Sequence, residues 1–214
     1  GKHLEEWESK IYTEIVSEHG SNASKLEVRF KITRYPPTIG TQSPVYIKVS
    51  KGTGPGKIIL NTTIDGVFDL VNKDEENGRQ KWDLAELNDG SYNIKVSGGT
   101  NRDETFLSGN SDGSVYLHHE DDRSGNQRWE LKDIGPYYNI ILKDTMNYAK
   151  KFLNTNWKGE ISLSDQDEQN GRQRWKLIDN PTCDDGIQNQ GEMRVDCGGP
   201  CIVCLTCDDG IQNQ

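Results

Sequence analysis

One six-residue phrase occurs three times in this chain and sets most of what it can fold into. The copies are Asn77-Gly78-Arg79-Gln80-Lys81-Trp82, Ser124-Gly125-Asn126-Gln127-Arg128-Trp129 and Asn170-Gly171-Arg172-Gln173-Arg174-Trp175. The tryptophans stand 47 and then 46 residues apart. Ile47, Ile94 and Ile140 keep the same step, as do Leu60, Leu107 and Leu153, and Gly66, Gly113 and Gly159. Leu70, Leu117 and Leu163 follow it too, with Asp74, Asp121 and Asp167, and with Leu84, Leu131 and Leu177. One unit has been copied three times, and a unit of this size cannot bury its own apolar face, so the three copies must share a core.

Within each copy the apolar residues alternate with polar ones in short stretches. In the second copy Ile94 and Val96 are followed by Phe106-Leu107, a turn at Asn110 to Gly113, Val115-Tyr116-Leu117, a loop from Asp121 to Gly125, and Trp129 to Leu131. Alternation with Gly, Asn and Asp punctuation predicts about four short strands per copy and no helical stripe. Each tryptophan carries about 150–250 Å² of surface, several kcal/mol of gross burial energy at about 25 cal/mol per Å². Trp82, Trp129 and Trp175 are therefore expected in the core, with Gln80, Gln127 and Gln173 bonded to loop backbone.

Three Gln-x-Trp copies in register resemble the ricin-type β-trefoil over roughly residues 44 to 180. The resemblance implies an all-β fold, a short barrel capped by three hairpins, and sugar binding in a shallow pocket on one or more copies. In that family an acidic residue follows the apolar pair of the second strand, an aromatic residue ends the third strand, and an Asn often precedes the Gln. Here those positions hold Asn61, Ser108 and Asn154; Val71, His118 and Ser164; and Arg79, Asn126 and Arg172. Only the second copy keeps a plausible carbohydrate-binding set, Ser108, Tyr116, His118 and Asn126, with Asp121 and Asp122 nearby, and it lacks the family's acid. Trp157 is a separate candidate: it sits in a polar hairpin turn where the other copies have Ile64 and Ser111. It reads either as a sugar platform or as a docking point for the N-terminal region.

Composition narrows the partners. A net charge of −9 and a pI near 5.0 lack the basic footprint of a nucleic-acid binder. No stretch is apolar enough to span a bilayer. The sequence opens at Gly1 without Met or a signal-like segment, which reads as a processed or excerpted chain. Residues 1–43 form an extension. Leu4, Trp7, Ile11 and Ile15 predict a helix over about residues 3 to 19, with His19 near its end and Gly20 as its stop. Leu26, Val28, Phe30 and Ile32 alternate as a strand before Tyr35-Pro36-Pro37.

Asp74, Asp121 and Asp167 begin loops of the form Asp-x-x-x-Gly, where an Asp side chain bonds nearby backbone N–H groups. His118 and His119 are adjacent on a strand and point to opposite faces, which argues against a shared metal. No metalloprotease, nucleophile-elbow or phosphate-loop motif occurs, so the expectation is that the chain is not an enzyme.

All five cysteines fall in residues 181–214. Thr182 to Gln190 recurs letter for letter as Thr206 to Gln214, a period of 24, giving one full unit and the start of a second. A full unit holds Cys183, Cys197, Cys201 and Cys204, which predicts two disulfides in one of three connectivities, with Cys207 opening the next unit. The segment resembles short Cys-rich tandem repeats of secreted multidomain proteins. Asn22 and Asn61 head Asn-x-Ser/Thr sequons, consistent with a secretory route. Asp184, Asp185, Asn189, Glu192 and Asp196 could supply oxygen ligands to Ca²⁺; an Asp/Asn-rich turn is the simpler reading, and no cofactor is otherwise expected.

Together these features read as an extracellular, non-catalytic lectin-like module binding glycans or glycoproteins. The alternative is a structural module of a filament, wall or matrix, contacting other copies or other chains. A targeting module for a neighbouring enzyme is a third reading.

Overall fold

In a computed structural model, residues 44–101, 103–143, 148–179, 183–189, 191–197 and 201 are described. The expected helix and strand of residues 1–43, the sequon at Asn22, and Cys204 and Cys207 lie outside them.

Each copy yields four strands, as its alternating pattern requires. The first contributes β1 (Tyr46–Val49), β2 (Ile59–Thr62), β3 (Phe68–Val71) and β4 (Trp82–Glu86). The second contributes β5 (Tyr92–Val96), β6 (Phe106–Gly109), β7 (Val115–His118) and β8 (Trp129–Asp133). The third contributes β9 (Tyr138–Leu142), β10 (Phe152–Thr155), β11 (Ile161–Ser164) and β12 (Trp175–Ile178). All pairings between these strands are antiparallel, and no helix occurs among the described residues.

Six strands close into a ring. The last strand of one copy pairs with the first of the next in β4–β5, β8–β9 and β12–β1. Between these pairs lie single-residue bridges, Val45 to Trp82, Tyr92 to Trp129 and Tyr138 to Trp175. Closure leaves this ring no open edge. The remaining strands form the hairpins β2–β3, β6–β7 and β10–β11.

The hairpins also interlock. Gly66 lies against Leu117 of the second copy, the Leu163 amide of the third copy donates to the Gly113 carbonyl at 2.8 Å, and Gly159 lies against Leu70 of the first. A Cβ on Gly159 would stand 3.2 Å from the Leu70 Cβ, and its φ of 84° is one that a side chain resists.

The core holds Trp82, Trp129 and Trp175, all fully buried, with Leu60, Leu107, Leu153 and the three matched isoleucines. Each indole N–H donates to the carbonyl of the leucine 22 residues earlier, at 3.0, 2.9 and 2.9 Å. A buried indole needs such a partner. The repeated Asp side chains cap their loops: Asp74, Asp121 and Asp167 accept from the amides of Glu76, Arg123 and Gln169 at 2.7–2.9 Å. Those three residues sit at φ of 58°, 63° and 59°.

The copies diverge at one inner position. Asn93 and Asn139 donate to the Gln127 and Gln173 carbonyls, whereas the first copy has Tyr46, whose hydroxyl donates to Asp74 at 2.7 Å. Burial, then the Asp74 hydrogen bond and charge, push the Tyr46 hydroxyl's pKa well up. The cysteine-rich segment docks here. Ile187 is fully buried in a second small core with Tyr46, Ile59 and Ile178. Gln188 pairs in parallel with Lys73: its amide donates to the Asn72 carbonyl at 3.1 Å, and its carbonyl accepts from the Asp74 amide at 3.0 Å. Cys183 and Cys201 are joined as a disulfide, and Cys197 is disulfide-bonded as well. The segment is thus held by an apolar anchor on the barrel in addition to its crosslinks.

Candidate functional site

Tyr116 and His118 are two residues apart on β7 and so lie on one face of the hairpin. Their rings meet edge to face with centroids 6.2 Å apart. Asn126, in the loop before β8, ties this face to the third copy: its Oδ1 accepts from the Tyr148 hydroxyl at 2.9 Å. All four residues are half-buried. Burial first, then the nearby Asp122 charge, raises the Tyr116 pKa, so its hydroxyl stays protonated in neutral solution. The Asp122 carboxyl is held below its usual range by the Ser124 side chain and amide, with a smaller contribution from His118. His118 Nδ1 lies 2.8 Å from the Glu120 carbonyl. The candidate cleft of the second copy thus comprises the Tyr116–His118 ring pair, Tyr148 bonded to Asn126, and the Asp122 carboxylate near Tyr116.

The other copies close the corresponding place. The position of Asn126 is Arg79 in the first copy, paired with Glu75. It is Arg172 in the third, whose Nε donates to the Gly52 carbonyl at 2.8 Å. Opposite, Asp69 and Ser162 stand where the second copy has Tyr116.

Ser108, expected at the cleft, is fully buried, and its hydroxyl donates to the Phe106 carbonyl at 3.1 Å. Its shortness has a consequence. In the first and third copies the Gln amide donates to Asn61 and Asn154, both at 2.6 Å, and the Gln oxygen accepts from the Glu75 and Glu168 amides at 3.3 Å. Gln127 has neither partner among the described residues, although its amide is buried. The expected backbone bond therefore forms at Gln80 and Gln173 and is missing at Gln127.

Asn61, expected to carry a glycan, is 7% exposed, with its amide nitrogen donating to Asp69 and its oxygen accepting from Gln80. The Asn61 side chain thus has a structural role, bridging Asp69 across the hairpin and Gln80. Trp157 is 59% exposed at the β10–β11 turn. Its carbonyl accepts from the Gly54 amide at 2.8 Å, and its ring lies over Gly54, whose lack of a side chain makes room for it. Among the described residues, no contact joins Trp157 to the Tyr116, His118 and Asn126 cleft. Tyr148 is the cleft residue that sequence reasoning missed; it enters from a loop of the next copy.

No protein-family model matches this chain, and no curated protein matches it. Among solved structures it is similar to that described as "Crystal structure of Cry35Ab1", with a TM-score of 0.51 and 21% sequence identity. The match covers 64% of this chain and 36% of that chain, so the shared part spans about a third of Cry35Ab1. At this identity the likeness is one of fold alone, an all-β architecture. Among the described residues, no helix is long and apolar enough to cross a membrane.

Proposed function

We propose that residues 44–180 form a lectin-type β-trefoil that binds carbohydrate, without catalysis, through the cleft of its second copy. The observation that carries this reading is the Tyr148 hydroxyl bonded to Asn126 in the same copy as the Tyr116–His118 ring pair, where the other two copies have the arginines Arg79 and Arg172, engaged with Glu75 and with the Gly52 carbonyl. Aromatic faces suit the C–H faces of a sugar, and a fixed amide beside the Asp122 carboxylate suits its hydroxyls. Such a shallow site binds weakly alone, so useful strength comes from multivalent display. The Cys183–Cys201 disulfide supports an extracellular setting. Trp157 is a second, independent platform.

The test is a glycan array probed with the 1–214 chain in multivalent form, beside Asn126→Ala, His118→Ala, Tyr148→Phe and Trp157→Ala variants. Binding to one glycan class that falls at least tenfold in the Asn126 or His118 variant, with folding intact, supports the cleft. Loss in Trp157→Ala alone moves the site to the hairpin turn. No binding to any glycan sinks the reading. The remaining reading is then an extracellular assembly module, favoured by the tail's docking on the barrel through Ile187.

A further inference from the structure

The glutamine of each Gln-x-Trp phrase can brace its loop at two ends. In the first and third copies the Gln80 and Gln173 amides donate to Asn61 and Asn154 at 2.6 Å, which fixes how each carboxamide is turned. The oxygen then faces the loop and accepts from the Glu75 and Glu168 amides at 3.3 Å. The second copy has neither bond. Gln127 is fully buried, and neither its Nε2 nor its Oε1 has a hydrogen-bond partner among the described residues. Ser108 is too short to hold that nitrogen and bonds the Phe106 carbonyl instead. Nothing then turns the oxygen toward the Asp122 amide, the group that corresponds to those of Glu75 and Glu168. A further link within the loop is longer too. Asn77 and Asn170 accept from the Arg79 and Arg172 amides at 2.9 Å, whereas Ser124 accepts from the Asn126 amide at 3.3 Å. The loop stays tethered at both ends: Asp121 accepts from Arg128 Nε at 3.0 Å, and Asn126 from the Tyr148 hydroxyl at 2.9 Å. Its internal caps, Asp121 on the Arg123 amide and Asp122 on the Ser124 amide, are kept at 2.9 Å. The exposed segment between the tethers is therefore built to shift as a unit.

We propose that Ser108 is a positioning residue for the second-copy cleft: by leaving Gln127 unbraced it releases the loop from Asp121 to Asn126, which closes on a bound ligand. Asp122 is the carboxylate near Tyr116 in that cleft, so the acidic group of the site rides on the least braced of the three loops. Bracing and site exclude each other across the copies. In the two braced loops Arg79 and Arg172 take the place of Asn126 and are engaged with Glu75 and with the Gly52 carbonyl. A segment held by fewer bonds opens more readily, and binding elements are drawn from such segments. That the ligand is a carbohydrate rests on the reading given above; the release of the loop does not.

Amide hydrogen exchange on the 1–214 chain tests the loop without any ligand. The protection factor at Asp122 should be about tenfold below those at Glu75 and Glu168, the effect of one net hydrogen bond on a local opening. Ser108→Asn should raise it to their level, and Asn154→Ser should lower that of Glu168. Ser108→Ala, no longer than serine, should leave it unchanged. Equal protection at the three amides in the native chain, or no response to Ser108→Asn, overturns the proposal whether or not a sugar binds. So does a changed value in Ser108→Ala, which would assign the effect to the hydroxyl. Closure is read by titrating the chain with methyl glycosides of glucose, galactose, mannose and N-acetylglucosamine. A glycoside that binds should raise Asp122 protection, and Ser108→Asn, by holding the loop open, should weaken that binding several-fold. Unaltered affinity in Ser108→Asn overturns the closure. Failure of every glycoside sinks the carbohydrate reading and the closure with it, and is told apart from failure of the loop by the exchange rates.

Discussion

Ser108→Asn should stabilise this protein. The second copy's Gln127 is the one glutamine of the three whose amide lacks a protein partner, and the residue at fault is the one opposite it. In the first and third copies an asparagine oxygen accepts from the glutamine amide at 2.6 Å. Serine is too short to do so and turns its hydroxyl to the Phe106 carbonyl instead. Installing asparagine restores one buried hydrogen bond, a net gain of about 1 kcal/mol, rising toward about 3 if the Gln127 amide is fully dry. Part of this is offset on the far side. The Asn61 and Asn154 amides find Asp69 and Ser162 across their hairpins, whereas residue 108 faces Tyr116. About 1 kcal/mol is therefore the working figure, a rise in melting temperature of about 2–4 °C for a chain of this size. The mirror substitution, Asn154→Ser, should cost about 1–3 kcal/mol by stranding the Gln173 amide. Urea unfolding of both single variants and the double variant is the assay. The two changes sit in different copies, so their effects should add. A lower midpoint for Ser108→Asn, or no cost for Asn154→Ser, would refute the claim that this bond separates the copies.

Two further outcomes follow from the tail and from the loop carboxylates. Ile187→Ala should cost about 2–5 kcal/mol locally, the usual range for a fully buried isoleucine. It should abolish hydrogen-exchange protection at the Gln188 and Asp74 amides while leaving the barrel's own amides protected; equal loss throughout would show that the tail is integral to the barrel core. Acid should destabilise the fold between about pH 4 and pH 2. Ser91 holds the Asp89 carboxyl down to about 2 from an ordinary 3.8. Asp112 and Asp122 are lowered by Ser114 and Ser124. At Asp167 burial alone would raise the pKa, but the Gln169 amide, Arg174 and Asn139 outweigh it. Depressed carboxyls contribute stability that is present above their unfolded values and lost as pH falls through their folded ones. Ser91→Ala should raise the Asp89 carboxyl in an NMR titration, with the residue 91 amide keeping part of the shift, and an unmoved titration would show that the Ser91 hydroxyl is not its cause.

What the sequence revealed and what it hid divide along one physical line. The matched Trp, Leu, Ile and Gly positions report strand faces and a shared interior, because burial is periodic along a strand and leaves a mark in composition. The Asp loop caps are legible for a similar reason, since their bonds reach only two residues. Tyr148 left no mark: it joins the cleft by crossing from the next copy, and nothing local to it differs from an ordinary loop tyrosine. Ile187 is a single apolar residue in a polar stretch, with no period to betray its burial, and its partner Tyr46 reads as one more strand aromatic. The burial of Asn61 left no mark either, since a sequon is a string of three letters, blind to the hairpin that buries its first. Gln127 looked like its two counterparts, since the residue that strands its amide lies 19 positions upstream, on another strand.

The pairing of the first and last strands has a consequence for how the module is carried. Tyr46 opens β1, Ile178 closes β12, and the two face each other across an antiparallel ladder. Partners in such a ladder have their Cα atoms about 4.5–5.5 Å apart. More than half of the chain is therefore a loop thrown out from a single point and returned to it. Set in a tandem protein, the barrel hangs beside the thread as a pendant and adds almost nothing to the distance between its neighbours. Spacing along such an array would be set by the short segments between barrels, and the barrels would be free to vary in size without disturbing it.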